Sequence, residues 1–385
     1  MVEDGIDDVL VVTHPLAPAS ESHVKALLDI VGAVTSVALV TTNLSEESSI
    51  RDGFEVLEIS RAGVGDSIPV AAFRFLLNQL RMCRAIARRE ESVVVFFGAT
   101  SYLLPILAAK VLGRTVVLEP RGDVPLTLRL QWERRVPAPV ARGLAGAVAL
   151  LERAGYRLAD AIVTYTPSMA AELGLGRYEH KLYPNGARYV DTERFRPTTP
   201  FEERDRVVGF LGRLDEEKGV RTLAEVAKRL PDDVTFRFIG DGDLRPWLER
   251  ELAAGIETGS VEITGWVDHE EVPAQLNDLR VLVLFSAPTE GLPTVILESM
   301  ACGTPVLATP VSGVPDVVRE GETGFRLDGD EPERIASDIE SIIARSDLGT
   351  VSGRGRALIE DSYDFDAAVE RYRAILRGVA AGAGE

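Results

Sequence analysis

A chain of 385 residues is longer than one ordinary core supports, so two domains are expected, and 45% hydrophobic with 26% charged residues is a globular composition. A net charge of −18 argues against general nucleic-acid binding, which runs on neutralising phosphates. Two cysteines, Cys83 and Cys302, give no disulfide framework, and four scattered histidines show no zinc spacing.

The acidic start, MVEDGIDDVLVV, does not read as a signal peptide. With so few cysteines, a reducing cytoplasm is the expected setting. Strands are expected at 8–13, 35–41, 55–59, 92–97, 115–118, 161–165 and 181–183. Amphipathic helices are expected at 70–89 and 102–112. The longest lightly charged stretch, 138–151, contains Arg142 and is too short to span a bilayer. It reads as a core helix or as one resting on a membrane. The segment RFRPTTPFEERDR, 194–206, has the prolines, threonines and charges of a linker. The rhythm then repeats, with strands at 207–211, 235–239, 261–264, 280–285 and 306–309, and helices at 220–229, 244–253, 294–302 and 332–344. Such alternation predicts parallel sheets covered on both faces, as do the continuous apolar runs VVVFF and VLVLF.

The expected architecture is therefore α/β. A Rossmann-like domain over 1–195 and a second over 205–362 would face each other across a cleft, with a helix at 364–380 packing back on the first.

Charge is uneven. Of 42 basic residues, 5 are Lys and 37 Arg. Acid-rich, lysine-poor composition resembles proteins of salt-accumulating halophiles, and a GC-rich genome favouring Arg codons would give the same bias. Residues 74–157 hold 14 Arg and Lys against 6 Asp and Glu, a local +8 that leaves −26 for the remainder. Such a segment can meet anionic lipid headgroups, giving peripheral contact with the inner face of a membrane, or an anionic substrate. It can equally be a solvated face with internal ion pairs.

Two stretches carry chemistry. In TEGLPTVILESMACGTPVLATP, 289–310, a loop leaves the carboxyl end of a strand, Pro293 suits a first helical position, and Gly303 with Pro305 ends the helix. The N–H groups near Thr294 and Val295 make an anion site, and Gly291 allows close backbone approach. Glu290 sits at the loop tip. Glu298 stands one turn further in among apolar neighbours and needs a partner, which a ribose cis-diol would supply. Otherwise Glu298 occupies the one polar face of its helix and Glu290 decorates the loop. In VVGFLGRLDEEKGVRTL, 207–223, Arg213 and Lys218 sit between a strand end and a helix start, a setting that suits a diphosphate, unless Asp215, Glu216 and Glu217 neutralise them. Together the stretches describe a nucleoside diphosphate bearing a further group.

At this point the second half resembles the retaining glycosyltransferases of family 4, with the GT-B fold. The matching pieces are GRLDEEKG, FIGDGDLRPWLE, ITGWVDHEEVPAQL, TEGLPTVILESMACGTPVLATPVSGVPDVV and GETGFRL, with YPNGARYVDTERFRP leading into the linker. The match covers nearly all of 181–330, while 1–180 matches mainly in layout.

The resemblance implies a hexosyltransferase that takes a nucleoside diphosphate sugar as co-substrate, with no cofactor and no metal, and a glycan or lipid-linked acceptor. It implies that Glu290 meets sugar hydroxyls, Glu298 holds the ribose, and Arg213 and Lys218 neutralise the leaving diphosphate. Backbone groups of Gly291, Leu292, Thr294 and Val295 would line phosphates and sugar, and Val267 would lie against the base.

Two features depart from the usual pattern. The loop after the first strand, THPLAPASES, lacks the glycine pair many relatives carry. The mid-domain strand leads into LEPRGDVP, where Arg121 either faces the donor or pairs with Glu119 or Asp123. His14 and His23 are weaker acceptor-side candidates. The DGD triplets at 241–243 and 328–330 imitate a metal motif of another transferase fold and read as loops. A nucleotide-sugar hydrolase, epimerase or phosphorylase on the same fold is one rival reading. A non-catalytic nucleotide-sugar-binding partner is another.

Overall fold

The computed structural model describes residues 6–16, 18–61, 68–285, 289 and 291–382. The chain forms two compact units, Met1–Arg188 with Ala368–Glu385, and Tyr189–Ala367.

In the first unit seven parallel strands are β1 (Val9–Thr13), β2 (Val37–Thr42), β3 (Glu55–Ser60), β4 (Val93–Phe97), β5 (Thr115–Glu119), β6 (Ala161–Val163) and β7 (Leu182–Tyr183). Their order is β3-β2-β1-β4-β5-β6-β7, with Val9 aligned with both Val37 and Val93. Every residue of β1 and β4 is buried, as unbroken apolar runs demand of strands covered on both faces. One face is filled by Met82 and Ile86 of helix Ile68–Ile86, Ile106 of Leu103–Val111 and Tyr156 of Ala138–Leu158, packed on Phe96 and Leu118. Helix Pro18–Gly32 buries Val24, Leu27, Leu28 and Val31, one stripe at helical spacing. Strand order reverses between β1 and β4, which opens a crevice at their carboxyl ends.

The last helix, Phe365–Gly382, returns to this unit. Tyr372 is fully buried and its phenol donates to Glu119 Oε2 at 2.6 Å.

The second unit repeats the plan with β8 (Val207–Leu211), β9 (Thr235–Ile239), β10 (Val261–Gly265), β11 (Val281–Leu284), β12 (Val306–Ala308) and β13 (Phe325–Arg326), parallel in the order β10-β9-β8-β11-β12-β13. Here the order reverses between β8 and β11, aligned at Val208 and Val281.

Three sequence expectations need correction. The stretch 194–206 is not a loose linker but part of the second unit: Phe195 and Arg204 are buried, and Thr198 N–H donates to Asn277 Oδ1 at 2.7 Å. The helix expected at 244–253 is two, Arg245–Glu251 and Ala253–Thr258, because Leu252 leaves helical geometry at φ −109°, ψ 17°. Strand β13 was not expected; two residues are too few for a periodic signal.

Candidate functional site

The loop leaving β8 is held by its backbone. Leu214 is fully buried, its N–H donates to Asp241 O at 2.9 Å, and its carbonyl accepts from Leu244 N–H at 2.8 Å. A Cβ on Gly242 would lie 2.6–2.8 Å from Leu214 backbone atoms, so only glycine fits there. The first DGD is thus a packing device, with the Asp241 carboxylate taken by Gly242 N–H at 2.8 Å and Arg245 Nη1 at 2.7 Å. In the second, Asp328 pairs with Arg334.

Asp215 Oδ1 accepts from Lys218 N–H at 3.1 Å, and its other oxygen lies 2.8 Å from Arg213 Nη1. The pairing with neighbouring acids is therefore present in the free protein. It is a solvent-facing pair, with the Arg213 side chain 66% exposed and Glu217 at 3.8 Å, and its worth is about 0–1 kcal/mol. A doubly charged ligand can displace it. Gly219, at φ +66°, brings the backbone against Phe285 at the end of β11, where a Cβ would meet the ring at 2.9 Å.

Residues 286–288 and the catalytic candidate Glu290 lie outside the described residues. Gly291 O accepts from Gly313 N–H at 2.8 Å, which ties this loop to the one after β12. Ser312 beside it adopts φ +52°, uncommon for a residue other than glycine and a site of local strain. Leu292 is buried, so its side chain anchors the loop and only its backbone is available to a ligand.

Helix Thr294–Ala301 follows. Pro293 is the N-cap, not the first helical residue, and offers no capping side chain. The first N–H groups, of Thr294 and Val295, have no acceptor within the helix. The far end is closed by a Schellman arrangement: Gly303 N–H to Met300 O at 3.0 Å and Thr304 N–H to Ser299 O at 2.9 Å, with Gly303 at φ +69°. Two arginines cover the last carbonyls. Arg204 reaches Cys302 O at 2.7 Å and Leu279 O at 3.2 Å; Arg356 reaches Ala301 O at 2.6 Å. Cations at this end complement the helix dipole and leave its positive end open.

Glu298, half-buried on this helix, places Oε1 3.3 Å from His269 Nε2. His269 is 61% exposed and its ring centre lies 5.5 Å from that of Phe195. The sequence analysis missed this partner, although HEEV follows the half-buried Val267 by only two positions. The loops after β8, β10 and β11 thus carry all the candidates of the second unit.

Arg121 belongs to the first unit, after β5. Neither expected acid pairs with it. Asp123 accepts from Leu126 N–H at 2.8 Å to cap helix Val124–Glu133, and Glu119 accepts from Tyr372 and, at 3.3 Å, from Ala187 N–H. Instead its guanidinium bonds His23 and lies 5.4 Å from the Phe97 ring centre. Gly98, at φ +66°, leaves room for Arg121 and His14, to which a Cβ would come within 3.0 and 3.2 Å. Burial, reinforced by Arg121, lowers His14 to about 4; burial with Arg188 and Arg121 lowers His23 to about 2. Both imidazoles are neutral at physiological pH. Burial raises Glu119 to about 7, with its Tyr372 bond opposing the rise.

Among the described residues no three His, Cys, Asp or Glu side chains are grouped to share a metal ion, and no helix is long and apolar enough to cross a membrane.

Residues 205–345 match the family model described as glycosyl transferases group 1. The lipopolysaccharide core biosynthesis glycosyltransferase LpsE of Rhizobium meliloti is 33% identical over 57% of this chain and 65% of its own length, just under two thirds. The GDP-mannose-dependent alpha-(1-6)-phosphatidylinositol monomannoside mannosyltransferase of Mycolicibacterium smegmatis is 30% identical over 77% of this chain and 79% of its own. Among solved structures, Anabaena Alr3699/HepE in complex with UDP superposes with a TM-score of 0.70 at 18% identity, covering 96% of this chain and 100% of that one. Sucrose-phosphate synthase from Thermosynechococcus elongatus gives 0.73 at 16%, covering 97% and 99%. At these identities the likeness shows the fold, which is GT-B.

Proposed function

Because the chain belongs to the group 1 glycosyltransferases, we propose that this glycosyltransferase moves a hexose-type sugar from a nucleoside diphosphate sugar to a glycan or lipid-linked acceptor, with retention of configuration and without a metal. The reading places it in the assembly of a cell-surface polysaccharide or a glycoprotein glycan. One observation carries the donor assignment: helix Thr294–Ala301 has an uncapped N-terminus, a half-buried Glu298 one turn in, and the Arg213–Lys218 loop on the neighbouring strand end. Support for the substrate class comes from relatives whose names specify GDP-mannose, phosphatidylinositol mannoside and lipopolysaccharide core, and from a fold neighbour that holds UDP.

As the anomeric carbon–oxygen bond breaks, its electron pair stays on the leaving phosphate. Arg213, once it exchanges Asp215 for the phosphate, would stabilise that charge together with Lys218 and the helix N–H groups. A phosphate oxygen then accepts the proton of the acceptor hydroxyl, which attacks from the face the phosphate leaves, so the new bond keeps the configuration of the old. Glu290 holds sugar hydroxyls and Glu298 the ribose. Neither acts as a nucleophile.

The test is to incubate the protein in EDTA with a panel of nucleoside diphosphate sugars and glycan acceptors, and to read the anomeric coupling of the product by proton NMR. An α-donor should give an α-glycoside together with free nucleoside diphosphate. An inverted product would overturn the mechanism. Sugar released or altered without acceptor would assign hydrolysis or epimerisation instead.

A further inference from the structure

Fourteen large apolar side chains are exposed among the described residues, and ten of them lie on or immediately beside three neighbouring helices of the first unit, Ile68–Ile86, Leu103–Val111 and Ala138–Leu158. The second unit exposes two, Ile256 and Trp266. Each of the three helices already buries an apolar stripe against the sheet, so its outer face should be polar. It is not. Phe73, Leu76 and Leu80 recur at one helical face, 67%, 51% and 55% exposed. Leu104, Leu107 and Val111 form a parallel stripe on the next helix, and Val111 is 86% exposed. Beside helix Ile68–Ile86 runs a groove of about 410 Å³, lined by Phe73 and Leu77 but also by Arg74 and Arg81.

Arginines interleave with this apolar surface. Arg81 and Arg84 share the outer arc of the first helix with Leu80, Arg88 lies in the turn just past its end, and Arg153 and Arg157 follow Leu150 on the third. Within the described residues none of these five has a carboxylate at ion-pair distance, in a protein of net charge −18 whose stretches on either side of 74–157 are each net acidic.

We propose that this three-helix face is a docking surface for an anionic lipid bilayer, with Phe73, Leu76, Leu80 and the Leu104–Val111 stripe entering the acyl boundary and the unpaired arginines meeting lipid phosphates. Apolar side chains flanked by unpaired cations are the composition that lies in a membrane interface without crossing it. A second copy of the chain is a poorer occupant, because a two-fold contact would set this cationic face against itself. The inference goes beyond the proposed donor chemistry and does not depend on it.

Co-sedimentation of the full chain with sucrose-loaded vesicles tests it, comparing pure phosphatidylcholine with phosphatidylcholine containing phosphatidylglycerol, at low and high salt. Binding is expected to phosphatidylglycerol vesicles only, and to weaken with salt. The variant R81Q/R84Q/R88Q should partition roughly a hundredfold less well, since each cation near the surface contributes about fivefold. The variant F73S/L76S/L80S should also lose binding. Every position changed is exposed, and circular dichroism in the same buffer verifies folding. No binding of the parent chain to phosphatidylglycerol vesicles overturns the proposal, as does equal binding of parent and both variants. Light scattering showing a dimer that the same substitutions dissolve, with vesicle binding untouched, reassigns the face to self-association.

Discussion

Glu298→Ala deletes the carboxylate assigned to the donor ribose and leaves the helix backbone in place. Among the described residues the carboxylate's ion-pair partner is the exposed His269, at 3.3 Å, and losing a pair of that kind costs about 0–1 kcal/mol. Alanine is also the better helix former, so folding stability should move by less than about 1 kcal/mol. In the complex, a carboxylate accepting from both ribose hydroxyls makes two charge-assisted bonds of roughly 1.5–3 kcal/mol each. Desolvation of the carboxylate and loss of the His269 contact offset part of this, leaving about 3 kcal/mol, or roughly 150-fold in Kd. Titration calorimetry with a nucleoside diphosphate and its 2′,3′-dideoxy analogue, on parent and variant, separates the causes. The ribose form should lose roughly 150-fold, and the dideoxy form less than about threefold, on substitution. Equal losses for both ligands would mean that Glu298 shapes the helix and does not hold the ribose.

Other predictions address the fold and the chemistry around it. Glu290→Ala should abolish turnover while nucleoside diphosphate affinity stays within about threefold, because the group is assigned to sugar and not to nucleotide; equal loss of both would move Glu290 into nucleotide binding. Gly242→Ala forces a Cβ to within 2.6–2.8 Å of the Leu214 backbone and should shift the Arg213–Lys218 loop, weakening diphosphate binding about tenfold or more, whereas Gly143→Ala, with nothing within 4 Å, should leave binding unchanged. Arg204→Met leaves the buried carbonyls of Cys302, Leu279 and Thr199 without donors and should cost about 3–5 kcal/mol in urea unfolding; a cost below about 1 kcal/mol would refute the cap. Glu152, held by Thr100, is raised by burial from 4.5 to about 7, so the folded state keeps a proton that the unfolded chain has released across that window. Its contribution therefore falls as pH rises from 4.5 to about 7 and stays lost above. Glu152→Gln should gain about 3 kcal/mol in urea unfolding near pH 8 and little near pH 5. His14 and His23 run the other way, losing stability as pH drops below 6.5, so an unchanged acid limb in the variant is also expected.

Most strands of both sheets were legible because unbroken apolar runs such as VVVFF and VLVLF leave little else for a residue such as Val95 or Leu282 to do. Gly303 was legible as a helix stop because its left-handed conformation is one that glycine adopts cheaply. The Arg213–Asp215 pair was foreseen as an alternative, since the acids are adjacent in sequence. His269 was not, because its contact joins a loop to a helix residue 29 positions on and nothing local requires it. Arg204 looked like linker charge, since only tertiary packing reveals that the carbonyls of a distant helix end surround it. The same limit hid the strain at Ser312 and the Arg121–His23 bond. The basic segment was visible as composition, but only the helix layer shows that its arginines share a surface with exposed Phe73 and Leu80.

The central claim is that the second unit binds a nucleoside diphosphate through its β8 and β11 loops without metal. Thermal unfolding in EDTA against a panel of nucleoside diphosphates tests it most directly. A ligand at about a hundred times its Kd adds about 2.7 kcal/mol, which for a domain of this size raises Tm by roughly 5–10 °C. One base, or one class of base, should give that rise, and Arg213→Ala should diminish it. Unchanged unfolding with every nucleotide would contradict the account.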